Sequence, residues 1–212
     1  MTNIYVLSDV KDKQEDINYL SVFDINTIKS SINLSIYDAL IFTSKNAISS
    51  LDKFNHQYKN IPSYTIAPKT AKVLEQYNGN IKYIGKSSNG NDFANEISKE
   101  LKNKKVLYIR AKKVVSNLVN ILKDNDVLCD ELIVYETVCK KYEQSKQLEQ
   151  NSKIIFTSPS SIKCFLGNFT WDKSYTAICI GKTTASYLPK NINFKISENI
   201  SINECIALAR TI

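Results

Sequence analysis

Short apolar runs rich in Ile, Val and Tyr alternate along the chain with longer amphipathic stretches. This alternation is typical of α/β proteins with parallel sheets, in which each buried strand is followed by a crossover helix. The clearest helix is predicted over 91–102, where Phe93, Ala94, Ile97 and Leu101 recur at helical spacing. Strands are predicted over 4–8, 39–43, 64–67, 81–84, 106–110, 129–135, 153–157, 177–180 and 194–196.

An internal repeat relates two parts of the chain. The segment IFTSKNAISSL from Ile41 is echoed by IFTSPSSIKCF from Ile155, and YTIAPKTAKVL from Tyr64 is echoed by ICIGKTTASYL from Ile178. Both pairs have the same offset of 114 residues. Because two separate motifs share one offset, the repeat indicates a duplicated α/β unit.

The two copies end differently. The first continues through the strand at 106–110, whereas the second reaches the chain end at Ile212 without an equivalent strand. The spare strand at 4–8 is therefore expected to complete the second copy. This predicts an α/β fold of two similar doubly wound parallel-sheet domains, joined by a two-stranded linker, with one domain built from both chain termini and a ligand cleft between them. The expected boundaries are 1–22 plus 140–212 for the discontinuous domain, 30–132 for the continuous domain, and 23–29 and 133–139 for the linker strands.

Hydroxyl side chains follow the strands of both copies at matching positions. Where a strand turns directly into a helix, the free backbone N–H groups and the helix dipole can bind an anion, and ligands of doubly wound sheets bind at this edge. The alternative role of these hydroxyls is to cap the helices. The candidate contacts with a ligand carboxylate or phosphate are Thr43, Ser44, Thr70, Thr157, Ser158, Ser160, Lys182 and Thr184.

Two further side chains are candidates because of their position. Tyr135 ends the strand that enters the second linker, so its phenol can face the cleft, or else pack within the linker. Arg110 ends its own strand and is followed by Lys112 and Lys113, so it can pair with a ligand carboxylate or remain an exposed charge.

Several kinds of chemistry are disfavoured. The segment from Gly181 to Thr183 resembles the tail of a nucleotide-binding P-loop, but Thr176 stands where that loop needs a glycine. His56 is the only histidine and lies in a polar stretch, so a surface position is favoured and a zinc site is not. With only five glycines there is no dinucleotide-binding fingerprint. No metal and no cofactor are predicted.

Composition narrows the partners and the location. The net charge of +7 suits an anionic small molecule, and because the lysines are scattered, nucleic-acid binding is not favoured. No signal peptide and no membrane span are predicted, since the first apolar stretch is too short. The five cysteines are odd in number and mostly lie in apolar segments, which favours buried reduced thiols and a cytoplasmic location.

The ordered motifs resemble the uroporphyrinogen-III synthase family. The matching segments are YDALIFTSKNAI from Tyr37, IAPKTAKVL from Ile66, KKVLYIRAKK from Lys104, DELIVYETV from Asp130, KIIFTSPSSIKCF from Lys153 and AICIGKTTASYL from Ala177. The resemblance implies two α/β domains joined by a two-stranded linker. It also implies a cofactor-independent hydro-lyase, which closes hydroxymethylbilane to uroporphyrinogen III with inversion of the fourth ring and loss of water.

The resemblance implies roles for individual residues. The linker tyrosine of the family corresponds to Tyr135, a candidate general acid. The hydroxyl-bearing positions of the family correspond to Thr43, Ser44, Thr70, Thr157, Ser158 and Thr184. The expected partner is a linear tetrapyrrole polycarboxylate bound by a monomer, with no nucleic acid and no membrane. The alternative is a non-catalytic two-lobed domain that binds an anionic small molecule.

Overall fold

The computed structural model describes residues 3–8, 14–142 and 147–212. The chain divides into two compact units, one formed by Met1–Asp24 and Val138–Ile212 and the other by Ile25–Thr137. Both boundaries between the units fall within the segments 23–29 and 133–139 that the sequence predicts as linker strands.

The continuous unit is built on a six-stranded sheet with helices between its strands. Its strands are β3 (Phe23–Thr27), β4 (Ala39–Phe42), β5 (Ser63–Thr65), β6 (Ile81–Ile84), β7 (Lys105–Ala111) and β8 (Leu128–Cys139). The strand order is β3-β8-β7-β4-β5-β6. β4 and β7 lie in the middle, and β4 is buried along its whole length, as expected of a central parallel strand. The helices are α1 (Lys45–Leu51), α2 (Pro68–Gln76), α3 (Gly90–Leu101) and α4 (Leu118–Asp124), with short 3-10 turns at Leu34–Ile36 and Gln57–Asn60.

Among the described residues of the discontinuous unit, five strands form its sheet: β1 (Ile4–Leu7), β2 (Asn18–Tyr19), β9 (Lys153–Phe156), β10 (Thr176–Cys179) and β11 (Phe194–Ile196). The sheet is parallel, in the order β11-β10-β9-β1-β2. The helices of this unit are α5 (Pro159–Leu166), α6 (Lys182–Ala185) and α7 (Ile202–Thr211). This confirms the predicted fold class, in which one sheet includes strands from both ends of the chain.

The N-terminal strand occupies the position that the repeat predicts for it. In the continuous unit β7 pairs in parallel with β4, which leads into the first Thr-Ser motif. In the discontinuous unit β1 pairs in the same way with β9, which leads into the second Thr-Ser motif, with Leu7 opposite Phe156. The strand at 4–8 therefore replaces the one that the second copy lacks.

Alternate residues of the central strands point to opposite faces of each sheet, and each face carries a core. In β4, Leu40 and Phe42 pack into one apolar cluster, whereas Ala39 and Ile41 pack into another. In β9, Ile155 faces the cluster that includes residues of α7, and its neighbours on the strand face the opposite one. Helices on both faces cover these clusters, which is the doubly wound arrangement.

Asparagine and aspartate take the conformation that glycine usually supplies after helices. Asn78, Asn103 and Asp126 have φ values of 58°, 62° and 61°, and each lies two residues beyond the end of α2, α3 or α4. Short polar side chains tolerate this left-handed region better than most residues do. A chain with five glycines can therefore still end its helices sharply.

β3 and β8 are neighbours in the sheet at the boundary between the units. The amide of Ile28 donates to the carbonyl of Val134, and the amide of Lys140 donates to the carbonyl of Val22. Residue numbers rise on one strand as they fall on the other, so this pair is antiparallel. β8 continues four residues beyond the strand predicted over 129–135.

The cysteines differ from the sequence prediction in one respect. Cys139 and Cys164 form a disulfide, whereas Cys129, Cys179 and Cys205 are free and buried. The prediction of reduced thiols is therefore wrong for the first two. They lie 25 residues apart in sequence, and only the packing of α5 beside the end of β8 brings them together. Among the described residues, no helix is long and apolar enough to cross a membrane.

Candidate active site

The Thr43–Ser44 junction lies where β4 ends and α1 begins, at the carboxyl edge of the sheet in the continuous unit. Ser44 has an extended backbone and is the N-cap of α1, because its Oγ accepts a hydrogen bond from the amide of Asn46 at 3.2 Å. Both hydroxyl residues are half-buried. The capping role that the sequence leaves open is thus present at Ser44, and it leaves the serine hydrogen free for another acceptor.

Tyr135 reaches the same junction from β8. Its side chain is nearly buried, at 6% exposure, and its hydroxyl donates a hydrogen bond to Ser44 Oγ at 3.0 Å. The ring also packs in the cluster that contains Leu132 and Val134, so the packing role is present as well. Burial raises the pKa of Tyr135, and the bond to Ser44 opposes that shift only in part. The phenol is therefore protonated at neutral pH and retains a proton to donate.

Tyr108 reaches the junction from the other face of the sheet. Its hydroxyl and that of Thr43 lie 2.8 Å apart, and either can be the donor. Tyr108 is 1% exposed and packs with Ile41 in the cluster opposite to that of Tyr135. Consecutive hydroxyls thus contact two tyrosines that approach from opposite faces.

Thr70 lies in the first turn of α2, beyond the end of β5. The cap position is Ala67, whose side chain cannot cap, and Pro68 begins the helix. The amide of Thr70 donates to the carbonyl of Ala67 at 3.0 Å, and the side chain is 6% exposed. Its hydroxyl is therefore held close to the start of α2, and this helix end carries no carboxylate in its first turn.

The second copy places its Thr-Ser motif between β9 and α5. Thr157 donates through Oγ1 to the carbonyl of Leu7 on β1 at 2.9 Å. Ser158 forms a capping box with Ser161, in which each side chain accepts a hydrogen bond from the other residue's amide at 3.2 Å. Ser160 follows on the first turn of α5 and is half-buried. The side chains of Thr157 and Ser158 are thus largely engaged in structural bonds.

Thr184 and Lys182 belong to α6, a single turn after β10. Thr184 is 4% exposed and its amide donates to the carbonyl of Gly181 at 3.1 Å, which repeats the bond that Thr70 makes to Ala67. Lys182 is exposed on the same turn. The equivalence of Thr70 and Thr184, inferred from the repeat, therefore extends to their backbone contacts.

Arg110 is held by the protein itself. Its Nε lies 2.7 Å from Glu131 Oε1, and its Nη1 donates to the carbonyl of Ala111 at 2.8 Å. The side chain is 15% exposed. Arg110 is therefore mostly buried and already paired with a carboxylate. A ligand carboxylate would compete with Glu131 for it.

The remaining polar groups do not assemble a metal centre among the described residues, where no group of three His, Cys, Asp or Glu side chains is placed to hold an ion. His56 is 67% exposed and contacts Asp52 Oδ1 through Nδ1 at 3.1 Å, in agreement with the predicted surface position. The side chains that meet at the Thr43–Ser44 junction are hydroxyls, including the phenols of Tyr108 and Tyr135.

The sequence model of the family described as Uroporphyrinogen-III synthase HemD matches residues 20–206. The chain belongs to this family. The resemblance drawn from the ordered motifs is thereby confirmed, and the match extends towards the N-terminus beyond residue 37, where those motifs begin.

Within the uroporphyrinogen-III synthase family, the chain is similar to the crystal structure of uroporphyrinogen-III synthetase from Helicobacter pylori 26695. The two share 31% sequence identity with a TM-score of 0.85, over 100% of this chain and 99% of that one. A mutant uroporphyrinogen III synthase from Thermus thermophilus aligns over 100% of this chain and 98% of its own, at 8% identity and a TM-score of 0.58, and so shows the same fold.

One relative is a much longer protein than this chain. The porphyrin biosynthesis protein HemD of Ruminiclostridium josui is 27% identical in an alignment 190 residues long, which covers 82% of this chain and 38% of that protein. The chain thus spans about two fifths of that relative's length.

Sequence reasoning missed one member of the hydroxyl cluster in this uroporphyrinogen-III synthase family protein. Tyr108 stands two residues before Arg110 in a strand that reads as apolar, so its phenol was indistinguishable from core packing. Only the pairing register of the two strands, which the tertiary structure decides, distinguishes this role from core packing. Tyr108 lies opposite Ile41 on β4, two residues before Thr43, which brings a long side chain within reach of the strand end.

Proposed function

We propose that the chain is a uroporphyrinogen-III synthase, which closes hydroxymethylbilane to uroporphyrinogen III with inversion of the fourth ring and loss of one water, and which needs no cofactor. Family membership over 20–206 supports this, as does the 31% identity to the Helicobacter pylori protein. Within the chain, the observation that carries the proposal is the hydrogen bond from Tyr135 to Ser44, since it places a protonated phenol at a strand end suited to anions.

Substrate binding is proposed to rest on many weak anion contacts. Hydroxymethylbilane carries eight carboxylates, and the chain has a net charge of +7. The helix N-termini that follow the strands offer backbone N–H groups, and the hydroxyls of Thr43, Thr70, Ser160 and Thr184 lie beside them. Because the contacts are numerous, loss of one hydroxyl is expected to change the KM by only a few fold.

Departure of the substrate hydroxyl is proposed to need a proton from the Tyr135–Ser44 pair. Ser44 Oγ accepts from both Tyr135 and the amide of Asn46, so its own hydrogen points away from both and can pass to the leaving oxygen. The Tyr135 proton then replaces it. When the C–O bond of the substrate breaks, its oxygen leaves as water. After cyclisation a ring carbon loses a proton, which restores the proton of the Tyr135–Ser44 pair.

Choice of isomer is proposed to be an effect of orientation. Without help, the same substrate closes to the symmetrical type I product, so the protein must hold the fourth ring where attack occurs at its substituted carbon. Fixed hydroxyls and amides supply such orientation without any further reactive group. The active form is proposed to be a monomer, which light scattering under assay conditions tests.

The deciding experiment supplies purified protein with freshly generated hydroxymethylbilane, in the absence of added metal or cofactor, and separates the oxidised uroporphyrin isomers. Predominantly type III product is expected. Type I alone, from a protein shown by circular dichroism to be folded, would reject the synthase activity. Binding of the tetrapyrrole without turnover would then favour the alternative of a non-catalytic domain for an anionic small molecule.

A further inference from the structure

We infer that Tyr108 is a positioning residue for the proposed cyclisation, because it fixes the Thr43–Ser44 junction from the face of the sheet opposite to Tyr135. The inference rests on the proposed function and deepens it. It adds a phenol that does not itself exchange a proton with the substrate but, through Thr43, sets where Ser44 lies relative to Tyr135.

The side chain of Tyr108 is held in a defined position. Tyr108 lies on β7, next to β4 in the sheet and opposite Ile41. Its side chain is 1% exposed and ends 2.8 Å from Thr43 Oγ1. A buried phenol in van der Waals contact along its length and hydrogen-bonded at its tip has very little freedom, so it holds Thr43 at a defined position.

Thr43 and Ser44 are consecutive residues, so their positions depend on each other. One hydroxyl bonds to Tyr108 on one face, and the next bonds to Tyr135 on the other. One peptide unit joins the two residues. A rotation of the backbone at Thr43 that breaks its hydrogen bond to Tyr108 therefore also changes the direction of the Ser44 side chain. Moving a proton-transfer group by about 1 Å is enough to lower a rate about 100-fold.

A positioning role differs from the role of a buried hydroxyl that only needs a hydrogen-bond partner. Tyr64 offers the comparison, since it is also 1% exposed, packs in the same apolar cluster and donates a hydrogen bond, to Glu100 at 2.8 Å. Its bond leads to helix α3, however, and does not involve the Thr43–Ser44 junction. A purely structural role predicts equal consequences for loss of either hydroxyl.

The surroundings of Tyr108 keep its phenol protonated. Burial raises its pKa, and the proximity of Tyr135 acts in the same direction, whereas hydrogen bonds with Thr43 and Ser116 and the charge of Arg110 lower it in part. The hydroxyl therefore keeps its hydrogen and can bond continuously at neutral pH.

The test compares Tyr108→Phe with Tyr64→Phe in the full chain, by melting temperature, kcat, KM and the fraction of type III isomer. Both variants are expected to melt a few degrees lower. Tyr108→Phe alone is expected to lower kcat about tenfold and to increase the type I share, with KM changed less than twofold. Equal kcat values for the two variants would overturn the inference.

A double-mutant cycle tests whether Tyr108 acts through Thr43. In a Thr43→Val background, which removes the partner hydroxyl, Tyr108→Phe is expected to cause no further loss of kcat. In a Thr43→Ser background, which keeps a hydroxyl, the tenfold loss is expected to remain. Independent, multiplicative losses in the Thr43→Val background would overturn the inference. A wild-type chain that yields only type I isomer would instead reject the proposed function, and this inference with it.

Discussion

Cys139, the last residue of β8, is joined by a disulfide to Cys164 in α5. The bond ties the end of a linker strand to the helix that carries Ser160. It closes a loop with a sequence separation of 25 residues. By chain entropy alone, such a cross-link is worth about 3 kcal/mol of the free energy of unfolding.

The first prediction concerns the thiols. Denatured, unreduced protein is expected to titrate three thiols, and reduced protein five. The native protein is expected to react slowly with iodoacetamide, because burial raises the pKa of both Cys129 and Cys179 to about 12. Reduction should lower the free energy of unfolding by about 3 kcal/mol. Five reactive thiols in unreduced denatured protein would contradict the disulfide.

The second prediction concerns a buried lysine. Lys153 is 8% exposed, and its Nζ donates to the carbonyl of Ala209 at 2.9 Å, in the last turn of α7. A cation there satisfies a helix carbonyl and interacts favourably with the helix dipole. Lys153→Met is expected to lower the free energy of unfolding by about 1–3 kcal/mol, measured by urea denaturation. Lys195→Met, on the exposed strand β11, is the control and should change it little.

The third prediction concerns the proposed proton donor. Tyr135→Phe is expected to lower kcat about 100-fold or more while the fold is retained, because the proton source is lost. Tyr58→Phe is the matched control, since Tyr58 is buried in the same apolar cluster but bonds to Asp52, away from the junction. Steady-state kinetics of the two variants distinguish the roles. Full activity in Tyr135→Phe would leave orientation as the whole mechanism.

The fourth prediction concerns pH and Asp52. Burial raises the pKa of this carboxyl, but hydrogen bonds with Tyr58, His56 and Lys59 outweigh that effect, so its pKa is lowered in the folded chain. Its stabilising contribution is therefore complete above the ordinary pKa of 3.8 and is lost as the pH falls through the lower folded value. Asp52→Asn should thus destabilise the protein at pH 7, and the difference from wild type should shrink below about pH 4. A difference that stays constant down to about pH 2 would contradict this assignment.

Much of the architecture could be predicted from the sequence because it depends on local pattern. The strand at 106–110 is observed as Lys105–Ala111, and the helix at 91–102 as Gly90–Leu101. The repeat predicted more than any single motif did. It implied that the N-terminal strand completes the second sheet, which the pairing of β1 with β9 confirms.

The site was predictable by residue type but not by contact. The strand-to-helix positions of Ser44 and Ser158 follow from the Thr-Ser motifs, and both serines cap helices. By contrast, the salt bridge between Arg110 and Glu131 depends on neighbouring strands in register, which no local pattern specifies. The roles assigned to these residues in binding and catalysis remain predictions.

The sequence by itself determined the duplicated unit, most of the strands and helices, and the family. Periodicity, strand-end motifs and a shared offset are properties of the chain read in one dimension. Only the tertiary structure decided which side chains meet. Tyr108 with Thr43, Tyr135 with Ser44 and Cys139 with Cys164 are separated by 65, 91 and 25 residues. Contacts over such distances are set by strand register and helix packing, and a shift of one residue in a strand would turn its side chains to the opposite face of the sheet.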